Sequence, residues 1–467
     1  MPLIAKAAAL FTGLLACISA SAGTPAATLL KSFPQVPEQF FWNLKPKVGR
    51  ASNAFHNMVP SLYFTLGSGN PGSYQLWVSD GTPQGTHPAA PNLLELASIQ
   101  LASPTGGAYF TAYDADGLLQ IFHTDGPESS ARVLTQQPIA AHGSLKGVLG
   151  NSAIFWRAGQ NGQAAIWRVD GTSGVESLLG QLPGTSNEIA TASDHIIAPS
   201  LSTASDDHIT SFSDDGASMA DLPVPPPSPV WDYPHRIATG PRIACFKAFT
   251  HYASGNVVQE LYCTDGTPDG TQRPALSAEG VGVRLMDSVI FHPLRDKFLM
   301  NGVLASPSGL PWITDGTYDG TFPIIDAPAL GWWPCSSNRF GDMYFVSTSG
   351  NGQSTLWVTD GNQEGTHLVV ELPAHTSSCA FRGTSSSSSS LAYLQIGTTL
   401  MQTDGMEAGT IPVVGAPTLL AGGGSQQSPF GINALGRWLV FFAPVSANEG
   451  GLWRLDLDPI FADGVDN

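Results

Sequence analysis

The chain has 467 residues, of which 42% are apolar, 12% are charged, 51 are glycine and 36 are proline, and its formal net charge is −17. That acidity excludes nucleic acid as a partner, because phosphate binding needs a basic footprint the chain lacks; plain solubility asks for no more than such a charge. Outside the N-terminal leader, no stretch is long and apolar enough to span a bilayer.

Residues 1–22 read as a signal peptide. Lys6 supplies the positive charge, residues 7–15 the apolar stretch, and Ala20-Ser21-Ala22 a small-residue cleavage site before Gly23. A second reading takes Leu14-Leu15-Ala16-Cys17 as a lipoprotein box that leaves Cys17 acylated, the one route to a membrane, although leucine directly before Ala16 is atypical there. Losing Lys6 with the leader takes the charge from −17 to −18. The next element, TLLKSF at residues 28–33, has the composition of a strand and resembles residues 367–372 far downstream.

From Leu76 the phrase LWVSDGTPQGT opens a unit that returns, altered, to the end of the chain. Aligned on their aspartate the copies give Asp80, Asp125, Asp170, Asp215, Asp265, Asp315, Asp360 and Asp404, with a degenerate ninth at Asp456. The steps of 45, 45, 45, 50, 50, 45, 44 and 52 residues mark a repeat architecture, in which each unit buries its apolar face only against its neighbours. Three residues before each aspartate stand Trp77, Phe122, Trp167, Phe212, Tyr262, Trp312, Trp357, Met401 and Trp453. Eight of these nine are aromatic, which makes them the shared core anchor.

Upstream of most anchors lies a second run of β-formers, such as Tyr63-Phe64, Tyr109-Phe110, Phe155-Trp156, Tyr344-Phe345 and Phe441-Phe442. Two such runs joined by a Gly, Ser and Asn-rich loop read as a hairpin. The Asp-Gly that follows is a turn signal, because glycine accepts positive φ and the carboxylate can bond backbone amides two residues on. Thr82, Thr86, Thr267 and Thr271 can do the same more weakly. Four short strands per unit of about 45 residues predict a β-propeller. A parallel β-helix is the rival, with coils of about half that length. The expected fold is all-β: a single propeller over residues 23–457, of nine blades, or eight if the fourth or ninth unit is not a true blade. Residues 28–33 complete the last blade and remove the open edge.

The units resemble the ELWxxDGT repeat of large secreted bacterial proteins, most closely in ELYCTDGTPDGT from Glu260 and TLWVTDGNQEGT from Thr355. The resemblance covers almost the whole chain after the leader; SFSDDGAS from Ser211 and LWRLDLDP from Leu452 depart furthest. It implies a propeller in the cell envelope or outside the cell, and it transfers no catalytic residues. Two segments read as insertions between units: LPVPPPSPV at residues 222–230, which must be extended, and the serine run at residues 385–390. The acidic tail DPIFADGVDN, residues 458–467, falls outside the repeat and resembles a short ending of many secreted Gram-negative proteins.

Four cysteines remain once the leader is cut, an even number for an oxidising compartment. Cys245 and Cys263 each stand nine residues from Ser254, opposite one another across the fifth hairpin. Cys335 and Cys379 follow their aspartates by 20 and 19 residues and so hold one place in adjacent repeats, as a second candidate disulfide or as free thiols. No CxxC pair suggests zinc. A residue present in every unit marks nine separate turns, whereas an active site needs dissimilar groups at one place; the aspartates are therefore turn caps, with calcium binding as their functional alternative. Sialidases also carry an Asp, Gly and Trp at propeller hairpins, but their box runs SxDxGxTW, and only Arg242 in GPRIACF resembles their arginine motif. His87 and His367 share one place after Gly-Thr, and His123 sits inside a strand.

The expectation is a monomeric, non-catalytic binding or scaffold module for a protein or glycan, with no cofactor. Two alternatives stand beside it: an enzyme with its site at the channel mouth, of which a sialidase-like glycoside hydrolase is one form, and a calcium-stabilised structural surface protein.

Overall fold

The structure is a computed structural model that describes residues 27–34, 61–66, 75–89, 95–102, 107–126, 131–139, 144–158, 164–182, 189–199, 209–213, 216–223, 237–240, 242–251, 257–274, 282–303, 310–324, 332–337, 341–349, 351–373, 391–419, 432–435, 438–446 and 449–456. The leader with Cys17, Asp215, Cys379, the serine run, most of the proline-dense segment and the tail lie outside the described residues. Among the described residues every regular element is a strand, and the strands form nine separate antiparallel sheets.

Each sheet is an up-and-down meander. The first comprises Leu62–Leu66, Gln75–Ser79 and His87–Pro88. The second runs Glu95–Ala102, Ala108–Tyr113, Leu119–Thr124, Arg132–Val133, and the third Ser144–Leu149, Ser152–Ala158, Ala164–Asp170, Glu176–Leu182. The fourth is Ala190–Ala192, His195–Pro199, Ile209–Ser213 and Met219–Asp221. In the fifth, Ala238–Thr239, Ala244–His251 and Val257–Thr264 are joined by single bridges from Cys263 to Gln272 and from Glu260 to Arg284. The sixth holds Leu285–Leu294, Lys297–Val303, Trp312–Thr314 and Phe322–Pro323. The seventh holds Trp332–Ser337, Met343–Thr348, Ser354–Thr359 and His367–Leu372, and the eighth Ala392–Ile396, Thr399–Thr403 and Ile411–Pro412. In the ninth, Ile432–Leu435, Trp438–Ser446 and Glu449–Asp456 are joined by a strand from the other end of the chain, Thr28–Pro34.

The middle strands of the second sheet are buried on both faces, which is why their sequences run apolar without alternation: Ala108–Tyr113 and Leu119–Thr124 bury all but Tyr113. The last strand is half exposed, as in His367–Leu372, where Val369 alone is buried. Each anchor pairs with a large apolar residue directly opposite on the strand before its own, among them Phe64 with Trp77, Phe110 with Phe122, Phe246 with Tyr262 and Phe345 with Trp357. In those four pairs the rings stack at 5.6–6.3 Å between centroids, a contact worth roughly 0.5–1.5 kcal/mol beyond its buried area.

The core lies between sheets, not within them. Nine apolar clusters each combine residues of two successive sheets, and each contains one anchor. Trp357, for instance, sits with Phe345 and Met343 of its own sheet and with Leu299 and Ile313 of the sixth. Burying one such side chain stabilises by about 1.5–3 kcal/mol, and here that gain exists only while the neighbouring sheet is in place.

The cluster holding Trp77 joins the two ends of the chain. Leu30 and Phe33 of the N-terminal strand and Leu435, Val440 and Phe442 of the ninth sheet pack on Leu62 and Phe64 of the first. At the same seam Arg454 lies over the Trp438 ring at 4.8 Å and donates to the carbonyl of Gly81 at 2.8 Å. Gly81 has φ +86°, and a Cβ there would fall 2.2 Å from Trp438, so only glycine permits the approach.

Within the fifth sheet a disulfide joins Cys245 to Cys263, paired residues whose Cα atoms are 4.1 Å apart. Both are buried in the cluster shared with the sixth sheet. Cys335 lies in the strand Trp332–Ser337. The disulfide closes a loop of 18 residues, which corresponds to about 3 kcal/mol of stabilisation through the unfolded chain. We predict that replacing both cysteines by alanine lowers the denaturant midpoint by that order, and that reduced wild type unfolds close to the double variant. Coincident curves for oxidised wild type and the double variant would show that the bond stabilises nothing.

Candidate functional site

Because each sheet is a meander, the turn between third and fourth strands emerges at the same end of the sheet as the turn between first and second. Among the described residues the repeated aspartates therefore stand at that end of their sheets. The first strand of a four-stranded sheet begins, and its last strand finishes, at the other.

Five of the repeat turns are built alike. Asp80 Oδ1 accepts from the backbone N–H and the hydroxyl of Thr82, both at 2.7 Å. Asp265 does the same with Thr267 at 2.8 and 2.7 Å, and Asp315 with Thr317 at 2.9 and 2.6 Å. In the diverged copies the backbone bond persists without the hydroxyl: Asn362 N–H to Asp360 at 2.8 Å, Met406 N–H to Asp404 at 2.9 Å. The threonine hydroxyl in turn accepts from the glycine three residues on, Gly85 at 2.9 Å and Gly270 at 2.9 Å. A final threonine closes the loop by bonding the hydroxyl before the aspartate, as Thr86 does with Ser79 at 2.8 Å and Thr271 with Thr264 at 2.7 Å.

The consensus DGTxxGT is thus a hydrogen-bonding unit in which each letter has a partner. The second glycine is fixed by the aspartate itself, since a Cβ at Gly85, Gly270, Gly320, Gly365 or Gly409 would fall 2.0–2.2 Å from the carboxyl group. In the third turn Asp170 Oδ1 accepts from the N–H groups of Ser173 at 2.7 Å and Thr172 at 3.0 Å and from the Ser173 hydroxyl at 2.8 Å. The Ser173 backbone bond is the main cause that holds the Asp170 carboxyl below the ordinary range, followed by its hydroxyl.

The turns also dock on the preceding sheet through the carbonyl of their first glycine. Lys297 Nζ donates to Gly361 at 2.9 Å, His367 Nε2 lies 3.2 Å from the Gly405 oxygen, and Arg132 donates to Gly171 and, at 3.0 Å, to Thr172. Arg132 and His367 both stand seven residues after their aspartate. The place that marks repeat ancestry for His87 and His367 therefore serves contact with the next sheet at two positions; His87 itself turns to its neighbour's carbonyl, Pro88 O, at 3.0 Å.

The second turn is different. Asp125 is followed by Gly-Pro instead of Gly-Thr, and its carboxylate turns to two other groups: Oδ1 is 3.3 Å from His123 Nδ1 and Oδ2 is 3.7 Å from Arg132. His123 is buried, with its ring 4.3 Å from that of Tyr109. The Tyr109 hydroxyl donates to the Asn151 carbonyl at 2.9 Å, in the third sheet. Burial, then Asp170 and Asp125, push the Tyr109 phenol above its ordinary range, and burial raises that of Tyr63, bonded to Thr124, to about 12. Sequence singles out Asp125 and His123 separately; their conjunction with Tyr109, Arg132 and Asp170 follows from the packing of two sheets. The loss of threonine after Asp125-Gly126 is the one local sign that this aspartate is released for other work.

No group of His, Cys, Asp and Glu fit to hold a metal ion occurs among the described residues. No helix among them is long and apolar enough to cross a membrane. The chain matches no protein-family model and no curated protein. Among solved structures it is similar to an oligogalacturonate lyase in complex with manganese, at 11% identity over 88% of this chain and 100% of that one, with a TM-score of 0.40. It is similar also to an oligogalacturonate lyase from Vibrio parahaemolyticus, at 10% identity over 94% and 100% of the two chains, with a TM-score of 0.40. For the β-propeller domain of the Trilobed protease from Pyrococcus furiosus the values are 12%, 66%, 92% and 0.35.

The turn geometry generates a double-mutant test. Gly270→Ala places its methyl against the Asp265 carboxylate and is expected to cost stability on the order of 1–3 kcal/mol, while Asp265→Ala, as lost cap, costs about 1 kcal/mol. With the carboxylate gone the methyl has room, so the double variant is expected to lose less than the two single effects combined. Additive losses in chemical denaturation would contradict the packing. Because the turn donors already bind Oδ1, a chelator is expected to leave the melting temperature of the wild-type chain unchanged; a drop of several degrees would assign these carboxylates to a cation.

Proposed function

We propose that the nine sheets are the blades of a single closed β-propeller, exported from a bacterial cell, that acts as a non-catalytic binding or scaffold module for a protein or glycan partner. Closure is supported by the succession of apolar clusters, by the strand Thr28–Pro34 pairing with Glu449–Asp456, and by Arg454 on Gly81. Export is supported by the leader and by the Cys245–Cys263 disulfide, a bond that persists in oxidising compartments.

The observation that carries the binding reading is the fate of the repeated aspartates. Their Oδ1 atoms accept from their own turns, so the most frequent acidic group in the repeat holds the scaffold together instead of facing a substrate. One end of the ring is therefore built of near-constant turns. The longest connections, those between successive sheets, belong to the other end, and length variation concentrated at one end of a rigid scaffold is how binding loops are presented.

Mature chain, residues 23–467, immobilised and probed with an array of bacterial surface glycans and envelope proteins, is expected to retain a ligand saturably and to release it chemically unchanged. Recovery of a cleaved or otherwise altered ligand would make the protein an enzyme. Failure to retain any glycan or protein on the array would remove the binding reading.

A further inference from the structure

The contact between the second and third sheets holds a group that the scaffold alone does not require. His123 is buried at this junction. Asp125 from its own turn, Arg132 from the strand Arg132–Val133, Tyr109 from Ala108–Tyr113, and Asp170 from the turn of the third sheet all face it. Arg132 is the pivot. One of its terminal nitrogens lies 3.5 Å from His123 Nδ1 and also donates to Gly171 of the third sheet, while the other donates to Thr172.

A neutral imidazole can accept from a guanidinium through Nδ1, but a protonated one has no lone pair left there and carries a second positive charge. Protonation would make Nδ1 a donor to Asp125, 3.3 Å away, and convert its contact with Arg132 into repulsion. Arg132 would then leave the carbonyls of the third-sheet turn, which are one part of the polar contact at that junction. The Tyr109 hydroxyl on Asn151, the Gln136 N–H on Glu176 and Arg157 on the Gln137 carbonyl remain, so the ring would loosen at one seam without coming apart.

We propose that His123 and Arg132 form an acid-sensitive latch between the second and third sheets, closed at neutral pH and opened when the imidazole is protonated. Burial is the main cause that holds the His123 pKa below its ordinary value near 6.5, with Arg132 acting in the same direction and Asp125 and Asp170 against it. A depressed folded pKa means that the unfolded or opened chain binds the extra proton more readily. The contribution is therefore fully present above pH 6.5 and is lost as the pH falls through the lower, folded value.

Hydrogen–deuterium exchange of the mature chain at pH 7.5 and pH 5, with labelling times scaled for the intrinsic rate, reads this directly. The expected result is severalfold faster exchange at pH 5 in peptides covering residues 107–111 and 166–174, with the corresponding segments of the sixth and seventh sheets unaffected. In His123→Gln the acid response of those peptides should vanish. In Arg132→Met they should exchange fast at both pH values, which keeps the test decisive if the first variant fails to fold. Wild-type exchange independent of pH at these segments, or the same acid response in either variant, would overturn the latch.

Discussion

A sheet of three or four short strands has two faces and not enough mass to cover either. That constraint organises the chain. Phe64, Phe110, Phe155, Phe246 and Phe345 are fully buried, yet each sits in a cluster whose other wall belongs to a different sheet. The apolar gain that fixes a sheet is conditional on its neighbour, so stability is shared along the series and depends on what happens where the series ends. Here the ends meet in one cluster, with Leu30 and Phe33 lying against Phe442 and Trp77. Without the N-terminal strand the ninth sheet would lose its fourth strand and offer a bare edge.

The polar chemistry of the repeat serves the same end. A turn that satisfies its own donors and acceptors can sit against another sheet without leaving buried groups unpaired. The DGTxxGT turn does so through Asp80, Thr82, Thr86 and Ser79 and through their counterparts around Asp265 and Asp315. One carbonyl is left over, that of the first glycine, and a basic or imidazole side chain of the preceding sheet reaches it at Gly81, Gly171, Gly361 and Gly405. The donors come from different strands, so the repeat conserves the acceptor and lets each junction find its own donor.

Much of this is local and therefore legible in one dimension. The anchors announce themselves because each of the nine clusters contains one, and the anchor-to-aspartate spacing is set by a strand running into a turn. Cys245 and Cys263 stand equidistant from Ser254, and equal distance from a hairpin centre is what cross-strand register means. The likeness of residues 28–33 to 367–372 is visible because both are last strands of a sheet, each with a buried apolar residue in third place, Leu30 and Val369. What sequence conceals is whatever depends on the placement of one sheet against the next. Arg132, Lys297 and Arg454 look like ordinary strand-end cations, and nothing near them marks the carbonyl they reach. The turn at Asp125 reads as a decayed copy, although its carboxylate has exchanged a threonine for a histidine and an arginine.

That exchange shows how a repeat protein acquires an individual feature. A copy that keeps the full turn motif commits its aspartate, its two threonines and its second glycine to one another: substitution of the aspartate or a threonine leaves a donor or acceptor without its partner, and substitution of the glycine drives a Cβ into the carboxylate. Where the full motif has a threonine that offers its N–H and hydroxyl to the aspartate, this copy has Pro127, which carries neither donor. Tyr109 and His123 pack this junction with aromatic rings, which bury as well as the apolar pairs at other junctions but carry titratable atoms into the interior. A departure from the consensus is therefore the place in such a chain where scaffold chemistry gives way to chemistry that responds to its surroundings.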